Sequence, residues 1–132
     1  FVRYYHRIKQ NEVDRCAQAE DRADFDLALA AWQLAKSRGE LDALKALYSD
    51  RFRTQGRDSD QWWLRTEQEL RTKGERQVRL SSLSLLRWRD SEDTMVVSFS
   101  EALEGQSRTV NKRQYWSREN GQWKIFFEGP VG

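Results

Sequence analysis

Asn120-Gly121 narrows what this chain can become more than any other pair of residues. It lies between two alternating runs, residues 108–118 and 122–128, and both of its residues tolerate the positive φ of a type I′ turn. The segment therefore predicts a β-hairpin. Because side chains alternate across a strand, Trp123, Ile125 and Phe127 are expected on one face and Gln122, Lys124, Phe126 and Glu128 on the other. One face is apolar, so a second layer has to cover it.

Helical spacing upstream supplies that layer. Phe25, Ala28, Leu29 and Trp32 follow the i, i+3, i+4, i+7 rule, and Leu27, Ala30, Ala31 and Leu34 widen the stripe, which predicts a mostly buried helix from Asp24. Basic residues at Lys36 and Arg38 followed by Gly39 mark its end. A second, short helix carries Leu41, Leu44, Leu47 and, at its end, Tyr48 on one side. Residues 49–57 read as a turn, an extended piece through Phe52 and Thr54, and a loop at Gly56. Asp58 with Gln61 resembles a capping box opening a third helix, on which Trp62, Thr66 and Leu70 stack until Gly74. Trp62 and Trp63 cannot share a helix face, so one is expected inward and the other at an edge or partner surface.

After Gly74 the period becomes two. Val78, Leu80, Leu86 and Trp88 fall on one face and Leu83 and Leu85 on the other, which predicts a bulge or sharp bend near Ser82. Residues 90–93 form a turn, Met95, Val97, Phe99 and Leu103 a strand, and Glu104-Gly105 a turn before the hairpin. Three helices followed by a run of four strands make an α+β pattern, with helices on one side of an antiparallel sheet. Residues 1–23, charged and with Val2, Tyr5 and Ile8 at helical spacing, read as a helical lead-in or linker to a domain over 24–132.

Composition excludes several functions. With 23 basic and 21 acidic residues the net charge is +2, which leaves no electrostatic footprint for nucleic acid. A single Cys16 and a single His6 permit neither an internal disulfide nor a zinc cluster, so no metal or other cofactor is expected. No apolar run approaches the ~20 residues that span a bilayer. No signal-peptide pattern opens the chain, and a first residue of Phe implies a processed protein or a domain cut from a longer one. Six Trp, four Tyr and six Phe supply the large rings that build cores and ligand pockets.

Ala31-Trp32, the run from Leu47 to Phe52, the helix with Trp62, and Lys112, Tyr115, Trp116, Gly121, Trp123, Ile125 and Glu128 together resemble the nuclear transport factor 2-like superfamily. The resemblance covers about residues 24–128. Within the superfamily it is similar to the accessory domain that follows the catalytic domain of bacterial cell-wall L,D-transpeptidases and related carboxypeptidases. It implies a cone in which three helices pack on a curved, mostly antiparallel sheet, with a pocket between the layers. It further implies a homodimer through the sheet and a periplasmic or cell-envelope setting; the residues themselves leave the compartment open, cytoplasm included.

Enzymatic members of that superfamily place a carboxylate or His inside the cone as general base. The matching position here is Gly56, and Asp58, two residues on, is better read as a helix cap. The acid-donating position falls among Tyr115, Trp116 and Arg118, and His6 lies outside the matched region. Cys16 lacks the Ser/His-Gly setting that activates a transpeptidase thiol. No catalytic residue is assigned. The expected function is a non-catalytic ligand- or partner-binding and dimerisation module accessory to a peptidoglycan enzyme. The alternative is a small stand-alone isomerase or lyase of the same cone fold, with Asp58 as its base. Tyr48, Trp62, Arg113, Tyr115 and Glu128 are the pocket candidates, offering ring faces, a cation and an anion to a small polar ligand such as a peptidoglycan fragment.

Overall fold

Glycines and caps end the helices where local chemistry asks them to. The computed structural model describes residues 22–54, 58–87 and 93–131, and the chain divides into two units, Phe1–Ala30 and Ala31–Gly132. The expectations for residues 1–21 (Cys16 and His6 included), Gly56, Trp88 and most of the 90–93 turn lie outside the described residues. Residues 22–38 are helical (α1). In the first unit, Arg22 Nε lies 3.1 Å from Asp26 Oδ1, an i,i+4 pair along the helix surface.

In the second unit α1 buries Trp32, Ala35 and Lys36. The Trp32 ring sits 5.4 Å from that of Phe99. Of the stripe expected on this helix Phe25, Leu29 and Trp32 are buried, but the residues expected to widen it are not: Leu27 is 71% and Leu34 50% exposed, and Ala30 and Ala31 are exposed too. Gly39, at φ 70°, closes α1, and the Glu40 N–H reaches back to the Ala35 carbonyl.

The next helix, α2 (Leu41–Lys45), is shorter than expected, and Tyr48 opens strand β1 (Tyr48–Thr54) instead of ending a helix. Sheet pairing explains this, because the Leu47 carbonyl accepts from the Ile125 N–H at 2.8 Å. Asp58 caps α3 (Ser59–Lys73) by accepting from the Asp60 N–H, and Gly74 ends it at φ 67°. Lys73 Nζ then donates to the carbonyls of Ser37, Gly74 and Arg76, tying the ends of α1 and α3 to the approach of the next strand.

That strand is β2 (Val78–Arg87), followed by β3 (Thr94–Leu103), β4 (Thr109–Glu119) and β5 (Gln122–Pro130). The sheet order is β1-β5-β4-β3-β2, with β1 parallel to β5 and every other pair antiparallel. The short extended piece at Phe52 thus becomes a fifth strand, added to the run of four. Asn120 (φ 51°) and Gly121 (φ 78°) form the predicted hairpin turn. Ser82, at φ 52°, lies where the β2–β3 register shifts between Ser81 and Ser84, the bulge anticipated there.

A second bulge was not legible. Trp116 pairs with Ile125 but Tyr115 pairs with Phe127, so Phe126 is an extra residue on β5. The alternation expected along β5 is therefore corrected. Trp123 and Ile125 point inward, Phe127 joins Tyr115 on the outer face, and Glu128 turns inward opposite Gln114. The core fills the inner face with Met95, Val97, Phe99, Trp116 and Ile125.

Candidate functional site

Between the helices and the inner face of the sheet lies a cavity of about 360 Å³. Lys36 enters it from α1, Tyr48 and Thr54 from β1, Trp62, Arg65 and Glu69 from α3, Lys112 from β4 and Glu128 from β5.

Glu128 is 4% exposed, and its Oε1 accepts two hydrogen bonds, from Tyr48 O–H at 2.9 Å and from Gln114 Nε2 at 2.6 Å. Two indoles set the direction of this network, because an indole N–H can only donate. Trp32 Nε1 donates to the Tyr48 oxygen at 3.0 Å, which leaves the phenolic O–H to point at Glu128. Trp116 Nε1 donates to Gln114 Oε1 at 3.0 Å, which turns the amide N–H group toward the same carboxylate. Glu128 lines the cavity, and its Oε2 receives no hydrogen bond among the described residues. Burial, and then the Glu128 charge, push the Tyr48 hydroxyl well above its ordinary pKa, so it remains a donor.

The cations of the cavity are also paired. Lys36 Nζ lies 2.5 Å from Glu101 Oε1 and Lys112 Nζ 2.7 Å from Glu101 Oε2. Burial pulls the Glu101 pKa up, but Lys36 and then Lys112 outweigh it and hold the carboxyl down at about 2. Burial and the Lys112 charge bring Lys36 down to about 8 against the attraction of Glu101 and Glu128. For Lys112 burial pulls the other way, and Glu101 with Glu128 wins, raising its pKa. Two lysines and two glutamates share one low-dielectric region and cancel in charge, which is what makes their burial tolerable.

Rings form the opposite wall. Tyr48 lies 5.2 Å from Trp62, 4.8 Å from Trp63 and 4.9 Å from Phe52, between ring centroids. Both tryptophans join this cluster, at 4.7 Å from each other and both half-buried, and of the two only Trp62 lines the cavity, with Trp63 at its edge.

Of the five pocket candidates read from the sequence, Tyr48, Trp62 and Glu128 come together here. Arg113 and Tyr115 do not. Strand alternation sends Lys112, Gln114 and Trp116 inward, so Arg113 and Tyr115 lie on the outer face: Arg113 is exposed and donates to Ser98 Oγ, while the Tyr115 ring packs on Phe126 and Phe127. Asp58 is exposed, caps α3 and does not line the cavity. Sequence reasoning missed Lys36, Glu101 and Gln114. Gln114 carried a signal, because two residues from Trp116 it had to share the buried face. Among the described residues no three His, Cys, Asp or Glu side chains gather as a metal site would require, and no helix is long and apolar enough to cross a membrane.

Three helices on one five-stranded, mostly antiparallel sheet, with a cavity between the layers, define an NTF2-like α+β domain. Residues 24–129 match the Cds6 C-terminal NTF2-like domain, and the chain belongs to that family. Among solved structures, the helical cell shape determining protein Pgp2 from Campylobacter jejuni is similar at a TM-score of 0.69 and 16% identity over 82% of this chain. Bdellovibrio bacteriovorus Bd1075 is similar at 0.66 and 19% identity over 84%. The chain spans only 40% of that Pgp2 chain and 41% of that Bd1075 chain. A candidate dehydratase of the NTF2-like family from Streptomyces avermitilis matches at 0.66 and 16% identity, over 86% of this chain and 97% of its own. At these identities the likeness is one of fold. No curated protein matches the chain.

Proposed function

We propose that this domain is a non-catalytic binding module of the bacterial cell envelope, accessory to a peptidoglycan enzyme, whose cavity takes a small polar ligand such as a peptide or glycan fragment of the wall. The observation that carries the reading is the pairing inside the cavity. Glu128 is held by Tyr48 and Gln114, and Lys36 and Lys112 both rest on Glu101, so these groups are arranged to hold charge in place. A ring wall at Tyr48 and Trp62, a carboxylate oxygen at Glu128 and a cation at Lys112 offer a polar guest stacking and charge-assisted hydrogen bonds. The likeness to Pgp2, a cell shape determining protein of which this chain matches a part, supports an accessory role in the envelope.

Titration of the 15N-labelled domain with purified soluble muropeptides tests this. Saturable shifts at the Trp62 indole and around Lys112 and Glu128 are expected, lost in Glu128→Gln. A muropeptide set that moves none of these signals overturns the reading.

The second reading, an isomerase or lyase, is favoured by one observation: Glu128 lines the cavity with one carboxylate oxygen to which no described residue donates, leaving it able to serve as a general base. Turnover of a small hydroxy or keto substrate, abolished in Glu128→Gln, would establish it in place of the binding module.

A further inference from the structure

The outer face of the sheet is built as differently from the inner one as the strands allow. Register partners share a face, and one row runs Leu86, Val96, Tyr115, Phe127 across β2, β3, β4 and β5, ending at Arg53 on β1. Leu86 is 64% exposed, and Val96, Tyr115 and Phe127 keep part of their surface in solvent. The band is held in place: the Phe127 ring covers Gly129 so closely that a Cβ there would stand 3.3 Å from it, and Tyr115 meets Phe127 edge-on at 5.6 Å. Beside it an open groove of about 820 Å³ runs between Arg51, Arg53, Phe126 and Phe127.

Among the described residues near this band, basic side chains outnumber acidic ones. Arg53, Arg113 and Arg79 are all exposed, in the same row, the adjoining row and a row further along, and none of them has an ion-pair partner among the described residues. Arg51 is offset by Glu119 at 3.3 Å, and Asp50 is the one carboxylate lining the groove among the described residues. An apolar band rimmed by polar groups marks a place where another molecule binds. A two-fold dimer through this face would set the same patch against itself, so Arg53 and Arg113 would meet a surface that carries the same unpaired arginines. Like charges brought together in this way select against the wrong partner.

We propose that the outer sheet face docks an acidic protein surface that also carries aromatic or aliphatic side chains, with Tyr115, Phe126 and Phe127 as its apolar seat and Arg53 and Arg113 as its carboxylate receivers. The arginine guanidinium suits this task because its fork takes a carboxylate through two parallel hydrogen bonds. The site is separate from the cavity and independent of what the cavity holds.

The test uses the 132-residue chain, 15N-labelled, against a random glutamate–tyrosine copolymer. Polyglutamate and phosphatidylglycerol vesicles serve as comparison ligands. Saturable shifts are expected at Val96, Arg113, Tyr115 and Phe127, with the copolymer bound about tenfold tighter than polyglutamate and the Arg53→Glu/Arg113→Glu protein bound about tenfold more weakly at an unchanged melting temperature. Absence of shifts on this face, or shifts confined to the cavity, overturns the proposal. So does equal binding of polyglutamate or of the vesicles, which would reduce the face to charge alone. Sedimentation showing a dimer that protects Tyr115 and Phe127 would assign the face to a second copy instead.

Discussion

Gln114 and Glu128 face each other as register partners across the β4–β5 ladder, and the Gln114 amide donates to Glu128 Oε1 at 2.6 Å. The pairing exists because the extra residue Phe126 shifts the alternation of β5 at the point where the carboxylate is needed inside. Trp116 on one side and Trp32 on the other then lock the donors, so the carboxylate is held in the cavity wall through Oε1.

Replacing Gln114 by Leu keeps most of the volume but strips the Trp116 N–H of its acceptor and Glu128 of a donor. A loss of about 2–3 kcal/mol is expected, the usual cost of leaving buried polar groups unmade, measured by urea unfolding. Tyr48→Phe costs a similar amount through Trp32. Because both residues donate to the same oxygen, the double mutant is expected to depart from additivity by about 0.5 kcal/mol or more. Strict additivity would show that the network is not coupled.

Glu101 carries two buried lysines. Glu101→Gln removes the carboxylate that both cations touch, leaving only the charge of Glu128 to offset them, and is expected to destabilise the domain by about 3–5 kcal/mol, whereas replacing Lys36, Glu101 and Lys112 together by Met is expected to cost far less. Equilibrium denaturation of the two variants against wild type gives the comparison.

The same group sets an acid limit. With its folded pKa at about 2 against an ordinary 4.5, the unfolded chain takes up this proton first as pH falls. The stabilisation from Glu101 is complete above pH 4.5 and drains away between 4.5 and 2, by about 3 kcal/mol at roughly 1.4 kcal/mol per unit. Lys36 acts with the opposite sign. Held at about 8 against 10.5, it imposes a cost below pH 8 that is relieved between 8 and 10.5, so its contribution to stability rises across that window. Lys112, whose folded pKa is raised, starts to lose its contribution only above 10.5. Denaturant midpoints measured from pH 2 to 10.5, with Lys36→Met as the comparison, should show a larger alkaline rise in wild type than in the variant, which keeps only the smaller contribution of Lys73, also lowered by burial.

Ser82 sits at φ 52°, a left-handed conformation that strains any residue with a Cβ. Ser82→Gly is expected to stabilise the domain by about 0.5–1 kcal/mol, and Ser82→Val to destabilise it by more, because β branching adds to the strain. Thermal melts of the two variants separate these outcomes, and a Gly variant no more stable than wild type would remove the strain argument.

Local chemistry alone determined much of this protein. The Asn120-Gly121 turn, the left-handed stop at Gly39, the Asp58 cap and the bulge at Ser82 were each legible, because each depends on the φ preference or hydrogen-bonding reach of a residue and its near neighbours. The α+β order followed from the change of period after Gly74. Tertiary structure decided the rest. It drew Tyr48 out of the second helix into a strand, because pairing with β5 claimed the backbone there. It turned Glu128 inward through a bulge that no turn residue announces, and sent Arg113 and Tyr115 to the opposite face. It brought Lys36, Glu101 and Lys112 together from α1, β3 and β4. A buried charge is stable only beside its counter-charge, and which residues become neighbours in that way is a property of strand register, which the sequence leaves open until the layers close.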